Sequence, residues 1–243
     1  MHLKAFIKKI DRYLTTRVSY LETIHVPSRG MRRDSHDVLF EAWRATGRYE
    51  DQRSLSRFGT NVYSVEGEDG IVAEIFRRIK HKSKFFVEIG ANDGVRGPTR
   101  FLLEQGWRGI WVEGNASTAA RARSVFSEFI NSGKLRIINA FISAENVNAL
   151  FEKDNVPDTF DFLSVDIDQN TSHIWRALRY KARLSCIEYN ASLPPSIPVE
   201  VPYDASATWD ETNWYGASLK ALELIGTAKG CYLVGCDLWG VNA

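Results

Sequence analysis

Between residues 85 and 190, short apolar runs alternate five times with helix-like segments. The apolar runs span 85–90, 109–115, 135–143, 160–168 and 183–190. Such runs, without polar alternation, are typical of strands that are covered on both faces. The alternation predicts an α/β fold with a doubly wound, mostly parallel sheet. Right-handed crossovers would place the carboxyl ends of all these strands at one edge.

The alternation ends after residue 190. The 26 residues of 191–216 include four prolines and show no helix or strand pattern, and long irregular loops in compact domains tend to be functional. A helix is predicted over 216–230, and the last residues, CYLVGCDLWGVNA at 231–243, predict a terminal antiparallel hairpin. With these two strands the predicted sheet is seven-stranded.

The chain length of 243 residues suits one large core, so we expect one domain over 61–243 and a helical extension over 1–60. Residues 1–57 hold 12 basic and 7 acidic side chains, which makes this extension mildly basic. A solvated helical arm is the simpler interpretation. The alternatives are contact with an acidic partner or membrane surface, cover over a cofactor cleft, and a homodimer contact. The net charge of +1 gives no signal for nucleic acid.

The cysteines and histidines show neither a redox nor a zinc pattern. Cys186, Cys231 and Cys236 have no CxxC spacing, and the five histidines form no HxxxH or HExxH pair. No apolar run is long enough for a transmembrane segment, and charges interrupt the N-terminal stretch where a signal peptide would be apolar. These features predict a cytoplasmic protein.

Polar side chains follow four of the five predicted strands. They are Glu88, Glu113, Asp166 with Asp168, and Glu188 with Asn190. Ligands of open α/β sheets bind beyond the carboxyl ends of the strands. We therefore expect these groups to line a binding site.

The turn GANDG at 90–94 and the carboxylate of Glu113 form a pattern that suits a nucleoside. Glycines let the backbone approach a ligand, and an acidic residue about 20 positions later can accept hydrogen bonds from ribose hydroxyls. Here the interval from Gly90 to Glu113 is 23 residues. The turn is not GxGxxG and the edge is acidic, which disfavours a dinucleotide with its pyrophosphate. S-adenosylmethionine (SAM), which combines a nucleoside with positive charge, fits better.

Four segments in order resemble class I SAM-dependent methyltransferases, nearest to the FkbM-like family: SVEGEDGI, VEIGANDG, WVEGN and LSVDID. The resemblance covers about residues 60–190 and implies a Rossmann-like methyltransferase fold that binds SAM. The implied contacts are Glu88, Gly90, Asn92 and Gly94 at the methionine part, Glu113 at the ribose, Ala140 and Phe141 near adenine, and Asp166 at the methionine ammonium or the substrate. The segment LSVDID departs from the family, whose members read closer to D-x-E-G.

Two groups of residues are candidates for closing the site. Glu66, Glu68 and Asp69 would lie over the cofactor, or else begin a solvated helix. The segment after the fifth strand carries Tyr203, Asp204, Trp209, Trp214 and Tyr215. These residues would form a substrate lid whose aromatic faces suit a sugar ring, or a loop held by its own aromatic side chains.

Three interpretations are open for the groups after strands four and five. Asp166, Asp168 and Glu188 would hold Mg²⁺ through oxygen ligands. Without a metal, Asp166 or Glu188 would be a general base with a raised pKa, beside Asn190 as a third catalytic candidate. In the structural interpretation, Asp168 only caps a helix and Asn190 only turns the chain.

The sequence thus predicts SAM-dependent O-methylation of a small molecule, a glycan or a natural-product intermediate. A DxD glycosyltransferase would instead use Asp166 and Asp168 with Mn²⁺ and a sugar nucleotide, but the GANDG turn and Glu113 argue against it. A SAM-binding protein without catalysis is the other alternative, because a fold alone does not establish chemistry.

Overall fold

Five parallel strands form the sheet of the described structure, in the order β3-β2-β1-β4-β5. The structure, a computed structural model, describes residues 38–39, 41–43, 45–47, 50–237 and 239–243. The strands are β1 (Phe85–Ile89), β2 (Arg108–Glu113), β3 (Leu135–Asn139), β4 (Thr159–Val165) and β5 (Lys181–Ile187). The doubly wound parallel sheet predicted from the alternation is confirmed. Most of the predicted extension over 1–60 lies outside the described residues, so its boundary stays a prediction.

Helices connect the strands and cover both faces of the sheet. They are α1 (Glu68–Ile79), α2 (Pro98–Glu104), α3 (Ala116–Val125), α4 (Ser127–Asn131), α5 (Val147–Lys153), α6 (Thr171–Ala177) and α7 (Leu219–Ala228). Short 3-10 helices span Leu55–Phe58 and Asp168–Asn170. Local sequence explains several ends: Pro98 opens α2, and the Asn115 side chain accepts hydrogen bonds from the first turn of α3.

The core lies in two apolar layers, one on each face of the sheet. On β1, Val87 and Ile89 belong to one buried cluster, and Phe86 belongs to the other. Because successive side chains of a strand point to opposite faces, both faces of β1 are covered and apolar residues are favoured along it. Glu88 shares the face of Phe86, and it is the polar exception in the strand.

The strand order places a topological switch point between β1 and β4. From β1, one half of the sheet runs through β2 to β3 and the other runs through β4 to β5. Glu88 lies beside Trp111 of β2 and Ser164 of β4 in register, so the three carboxyl ends are level. A crevice at such a point is where open α/β sheets bind ligands.

The predicted seven strands were wrong, because the described residues form five. Residues 231–237 are not a strand, and the predicted hairpin is replaced by a single antiparallel bridge between Glu188 and Asn242. The Asp237 carboxylate accepts hydrogen bonds from the N–H groups of Trp239, Gly240 and Val241. These three backbone N–H groups therefore cannot donate to a neighbouring strand, and the chain forms a turn here instead of a second strand.

None of the helices in the described ranges combines the length and the apolar character needed to cross a membrane.

Candidate functional site

A cleft of about 750 Å³ opens beyond the carboxyl ends of β1, β2 and β4. Among the described residues that line it, six are carboxylates and one, Arg96, is a cation. The carboxylates are Glu66, Glu68, Glu88, Glu113, Asp166 and Asp168. The structure thus brings together most of the residues that the strand-end pattern pointed to, and the resulting wall is strongly acidic.

The glycine turn after β1 is shaped by close packing against protein. Gly90 has φ +87°, and a β-carbon there would lie 1.7 Å from the Asp166 carbonyl oxygen. Gly94 has φ +71°, and its β-carbon would lie 2.2 Å from the Trp111 ring. Gly90 and Asn92 line the cleft, whereas Gly94 does not. Gly94 therefore acts on the side of the turn away from the cleft, where the absence of a side chain lets the turn pack on Trp111.

Glu88 lies at the bottom of the cleft and is buried. The Thr99 hydroxyl donates to Glu88 Oε2, and Trp111 Nε1 donates to Thr99 Oγ1 over 2.6 Å. Burial raises the pKa of Glu88 to about 8, against the hydrogen bond from Thr99. This carboxyl is therefore largely neutral at pH 7 and is charged only in more alkaline solution.

Glu113 joins the loops that follow β1 and β2. The Asn92 N–H donates to Glu113 Oε2 over 2.8 Å, and the Asn115 N–H donates to Glu113 Oε1 over 2.7 Å. A carboxylate oxygen has two acceptor positions, so each oxygen keeps one for a ligand. The loop after β3 lies beside this group, where Phe141 is 51% exposed and lines the cleft next to Ala140.

Asp166, Asp168 and Glu188 form a compact group, with one oxygen of each lying within 4.8 Å of the others. Asp166 and Asp168 line the cleft, but Glu188 is buried behind them. Glu188 Oε2 accepts hydrogen bonds from the Asp168 N–H over 2.8 Å and from Thr171 Oγ1 over 2.9 Å. Glu188 thus holds Asp168, which has φ +59°, in an uncommon backbone conformation.

Mutual repulsion and the loss of hydration favour protonation of this group of carboxyls. Desolvation and the Asp168 charge raise the pKa of Asp166 to about 6. Burial and the charges of Asp166 and Asp168 raise the pKa of Glu188 well above its usual range. A proton is therefore held preferentially by the buried Glu188, and Asp166 is the member that is both open to the cleft and able to exchange a proton near neutral pH.

Asn190 is buried and makes contacts outside the cleft. Its Nδ2 donates to the carbonyls of Asn213 and Tyr215 over 2.9 and 3.0 Å, and its Oδ1 accepts from the Ser192 N–H over 2.9 Å. All of its polar atoms are therefore used to hold the loop after β5. These contacts agree with the interpretation in which Asn190 has a structural role at the turn of the chain.

The loop after β5 places one of its five candidate lid residues at the cleft. Trp209 lines the cleft and is 49% exposed. Tyr203 lies farther away, where its hydroxyl donates to Glu145 Oε2 over 2.6 Å. Burial, together with the Glu188, Asp168 and Asp166 charges, raises the pKa of Tyr215 to about 12. Asp204 and Trp214 contribute backbone carbonyls that accept from Asn170 and Gln169.

Glu66 and Glu68, at the start of α1, form another wall of the cleft. The Glu68 carboxylate accepts hydrogen bonds from the Glu66 N–H and from Asn242 Nδ2, each over 2.9 Å. Burial raises the pKa of Glu66 and of Glu68 to about 7. Asp69 does not line the cleft, and its Oδ2 accepts from the backbone N–H groups of 62–64. The acidic pair Glu66 and Glu68 thus adds pH-dependent negative charge.

Several cleft residues were missed by sequence reasoning. Arg96 could have been found from the sequence, because it is a basic residue just after the GANDG turn at an edge of the sheet that is otherwise acidic. Asn242 had none, because it meets Glu68 across 174 positions of sequence. Asn170 lines the cleft as the last residue of the unexpected 3-10 turn at Asp168–Asn170.

The arrangement suits a ligand of moderate size that carries positive charge and hydroxyl groups. The volume of the cleft falls within the range of about 300–1,000 Å³ that is usual for small-molecule binding sites. Carboxylates accept hydrogen bonds from hydroxyls and attract cations, and the acidic wall opposes a pyrophosphate.

Comparisons with known proteins give structural likenesses only. No protein-family model matches this chain. No curated protein matches it either. A protein described as an O-methyltransferase from Klebsiella pneumoniae is similar at 18% identity over 73% of each chain, with a TM-score of 0.37. The O-methyltransferase from Bacillus cereus, solved in complex with SAH, is 15% identical over 69% of this chain and 70% of its own, with a TM-score of 0.40.

A third likeness is to the pyocyanin biosynthetic protein PhzM, at 17% identity and a TM-score of 0.34. It covers 46% of this chain and 34% of PhzM. At such identities and TM-scores, the activity of this chain has to be inferred from its own residues.

Proposed function

We propose that this chain is a SAM-dependent methyltransferase that methylates an oxygen of a small molecule, a glycan or a natural-product intermediate. The observation that carries the proposal is the acidic cleft at the switch point, where the Gly90 turn and Glu113 stand on neighbouring strand ends. The FkbM-like resemblance of the segments around this cleft supports the same assignment.

The donor set of the cleft fits SAM. Glu113 would accept hydrogen bonds from the ribose hydroxyls, and the exposed ring of Phe141 would pack against adenine. Glu88, Gly90 and Asn92 would line the methionine part. The acidic wall would favour both the sulfonium and the ammonium.

Bound SAM supplies an electrophilic methyl group on its sulfonium. The chain would contribute by positioning an acceptor oxygen and by accepting its proton. Asp166 suits the second task, because a pKa of about 6 leaves it mostly ionised at pH 7. Glu188 would act through Asp168, which it positions, and Trp209 would pack against the acceptor.

The first test is isothermal titration calorimetry with SAM and S-adenosylhomocysteine (SAH). We expect both to bind, and we expect Glu113→Ala to raise the Kd of each by about 10-fold to 100-fold, since hydrogen bonds to a charged group are lost. Glu128→Ala is the matched control, because Glu128 is exposed on α4 and does not line the cleft. Its Kd should equal that of the unaltered protein.

Other outcomes of this titration would favour the alternatives. Binding of a UDP-sugar only with Mn²⁺, without binding of SAM, would assign Asp166 and Asp168 to a glycosyltransferase metal site. Binding of SAM without methyl transfer to any acceptor in a broad panel of alcohols and glycans would favour a SAM-binding protein without catalysis.

We also expect SAM affinity to rise with pH. The raised pKa values of about 6 for Asp166, about 7 for Glu66 and Glu68, and about 8 for Glu88 mean that these groups are mostly neutral below pH 6 and charged above pH 8. A cation stabilises the charged forms, so SAM should bind about tenfold more tightly at pH 8 than at pH 6. SAH, which lacks the sulfonium charge, should show a smaller change. Titrations at both pH values measure this, and an equal change for the two ligands would contradict it.

A further inference from the structure

Arg96 is the positively charged side chain on the cleft wall that the proposed function leaves unexplained. It lines the cleft in the loop between β1 and α2 and is exposed. In the part of the chain that the structure describes, no carboxylate oxygen lies within the 4.0 Å ion-pair distance of its guanidinium. Its charge nevertheless acts on Glu66 across the cleft wall.

The backbone on both sides of Arg96 is fixed. Arg100 Nη1 donates to the Val95 carbonyl over 2.9 Å, and the Val95 N–H donates to Asp93 Oδ1 over 3.0 Å. On the other side, Gly97 packs so closely on Glu88 that a β-carbon would lie 2.7 Å from Glu88 Oε1. The loop therefore presents the Arg96 side chain from a defined point at the rim of the acidic site.

Among the described residues that line the cleft, one cation stands with six carboxyl groups, and this combination fits a ligand with a mixed charge at one end. An amino-acid group has an ammonium and a carboxylate within a few ångströms of each other. The acidic wall attracts the ammonium but repels the carboxylate. A guanidinium can form two parallel hydrogen bonds to a carboxylate, and it remains charged at every pH at which the protein is folded.

We propose that Arg96 binds the carboxylate of the ligand's amino-acid end and so selects SAM over cations that lack this carboxylate. The inference rests on the proposed function. It adds a selectivity that the acidic wall alone cannot provide, because the negative charge of that wall would favour a more positively charged ligand.

The test compares ligands that differ in this carboxylate alone. SAM and decarboxylated SAM are titrated calorimetrically into the unaltered protein, into Arg96→Met and into Arg108→Met. Methionine keeps the apolar stem and removes the charge. Arg108 is an exposed arginine at the opposite end of β2 from the cleft, so its variant controls for net charge.

We expect Arg96→Met to weaken SAM binding by about 10-fold to 100-fold, which is the effect of losing a charge-assisted pair. Decarboxylated SAM should bind the variant as tightly as the unaltered protein or more tightly, because a repulsive cation has been removed. Arg108→Met should change neither affinity.

Two results would overturn the inference alone: SAM affinity that is unaffected by Arg96→Met, or an equal loss for both ligands. Failure of the unaltered protein to bind SAM or SAH at all would overturn the proposed function together with the inference. The two failures are therefore distinguishable in one set of titrations.

Discussion

Asp161→Ala is expected to lower the free energy of unfolding by about 3–5 kcal/mol, the cost of breaking a buried charged network. Asp161 is fully buried on β4, at the end of the sheet away from the cleft. Its carboxylate accepts hydrogen bonds from the N–H groups of Lys82, Ser83 and Lys84, and Arg183 Nη1 donates to it over 3.0 Å. Alanine would leave the three backbone N–H groups without this acceptor and would remove the carboxylate partner of Arg183. Urea denaturation followed by circular dichroism measures the change.

Two companion variants make this prediction specific. Asp161→Asn keeps the shape and one acceptor oxygen, so it should lose about half as much. Asp158→Ala removes an exposed carboxylate just before the same strand and should change the free energy of unfolding by less than about 0.5 kcal/mol. Equal stabilities of the Asp161→Ala and Asp158→Ala variants would show that the network contributes little.

The pH dependence of this effect has a definite sign. Burial alone would raise the pKa of Asp161, but Arg183 and the three backbone donors outweigh it, so the pKa lies below the ordinary value of 3.8. A carboxyl with a lowered folded-state pKa stabilises the fold above its unfolded-state pKa and loses this contribution as the pH falls through the folded-state pKa. The difference between the unaltered protein and Asp161→Ala should therefore be constant above about pH 5 and shrink below pH 4.

Gly90→Ala is expected to lower the free energy of unfolding by about 2–5 kcal/mol, as the sum of backbone strain and overpacking. With φ +87°, Gly90 has a conformation that alanine adopts only with strain, and the new β-carbon would lie 1.7 Å from the Asp166 carbonyl oxygen. Relief of this contact requires the ends of β1 and β4 to separate. Because Asp166 lines the cleft, binding of SAM should weaken as well.

Gly106→Ala separates the two contributions. Gly106 has φ +80°, close to that of Gly90, but nothing lies within 4 Å of its added β-carbon. This control should therefore lose only about 1 kcal/mol from backbone strain. Denaturation curves of the two variants would be superimposable if the close approach to Asp166 were unimportant, and that result would contradict the prediction.

The fold was predictable where local pattern and global packing agree. The runs at 85–90 and 160–168 are apolar because both faces of β1 and β4 are covered, so their burial is visible in composition alone. The hairpin predicted at 231–243 failed for a different reason. Its apolar residues resemble a strand, but the Asp237 side chain takes the N–H groups that a strand would donate.

The candidate site was predictable to the extent that topology places strand ends together. Glu88, Glu113 and Asp166 each follow or end an apolar run, and parallel connections bring such ends to one edge. Which of these carboxylates faces the cleft and which is buried behind it was not predictable. Asp166 faces the cleft while Glu188 is buried behind it, and no spacing in the sequence distinguishes two carboxylates on neighbouring strands.

Local sequence is enough to specify the alternation of strands and helices, the glycine turn and the polar groups at the strand ends. These features follow from periodicity and from which residues tolerate burial or positive φ. Tertiary packing was needed to show which carboxylates share a cleft, that Asn190 holds a loop, and that Arg96 is the one cation among the described residues lining that cleft. Contacts such as that between Glu68 and Asn242 join distant parts of the chain. The geometry of such contacts depends on how the two apolar layers pack against the faces of the sheet, and local sequence patterns do not determine that packing.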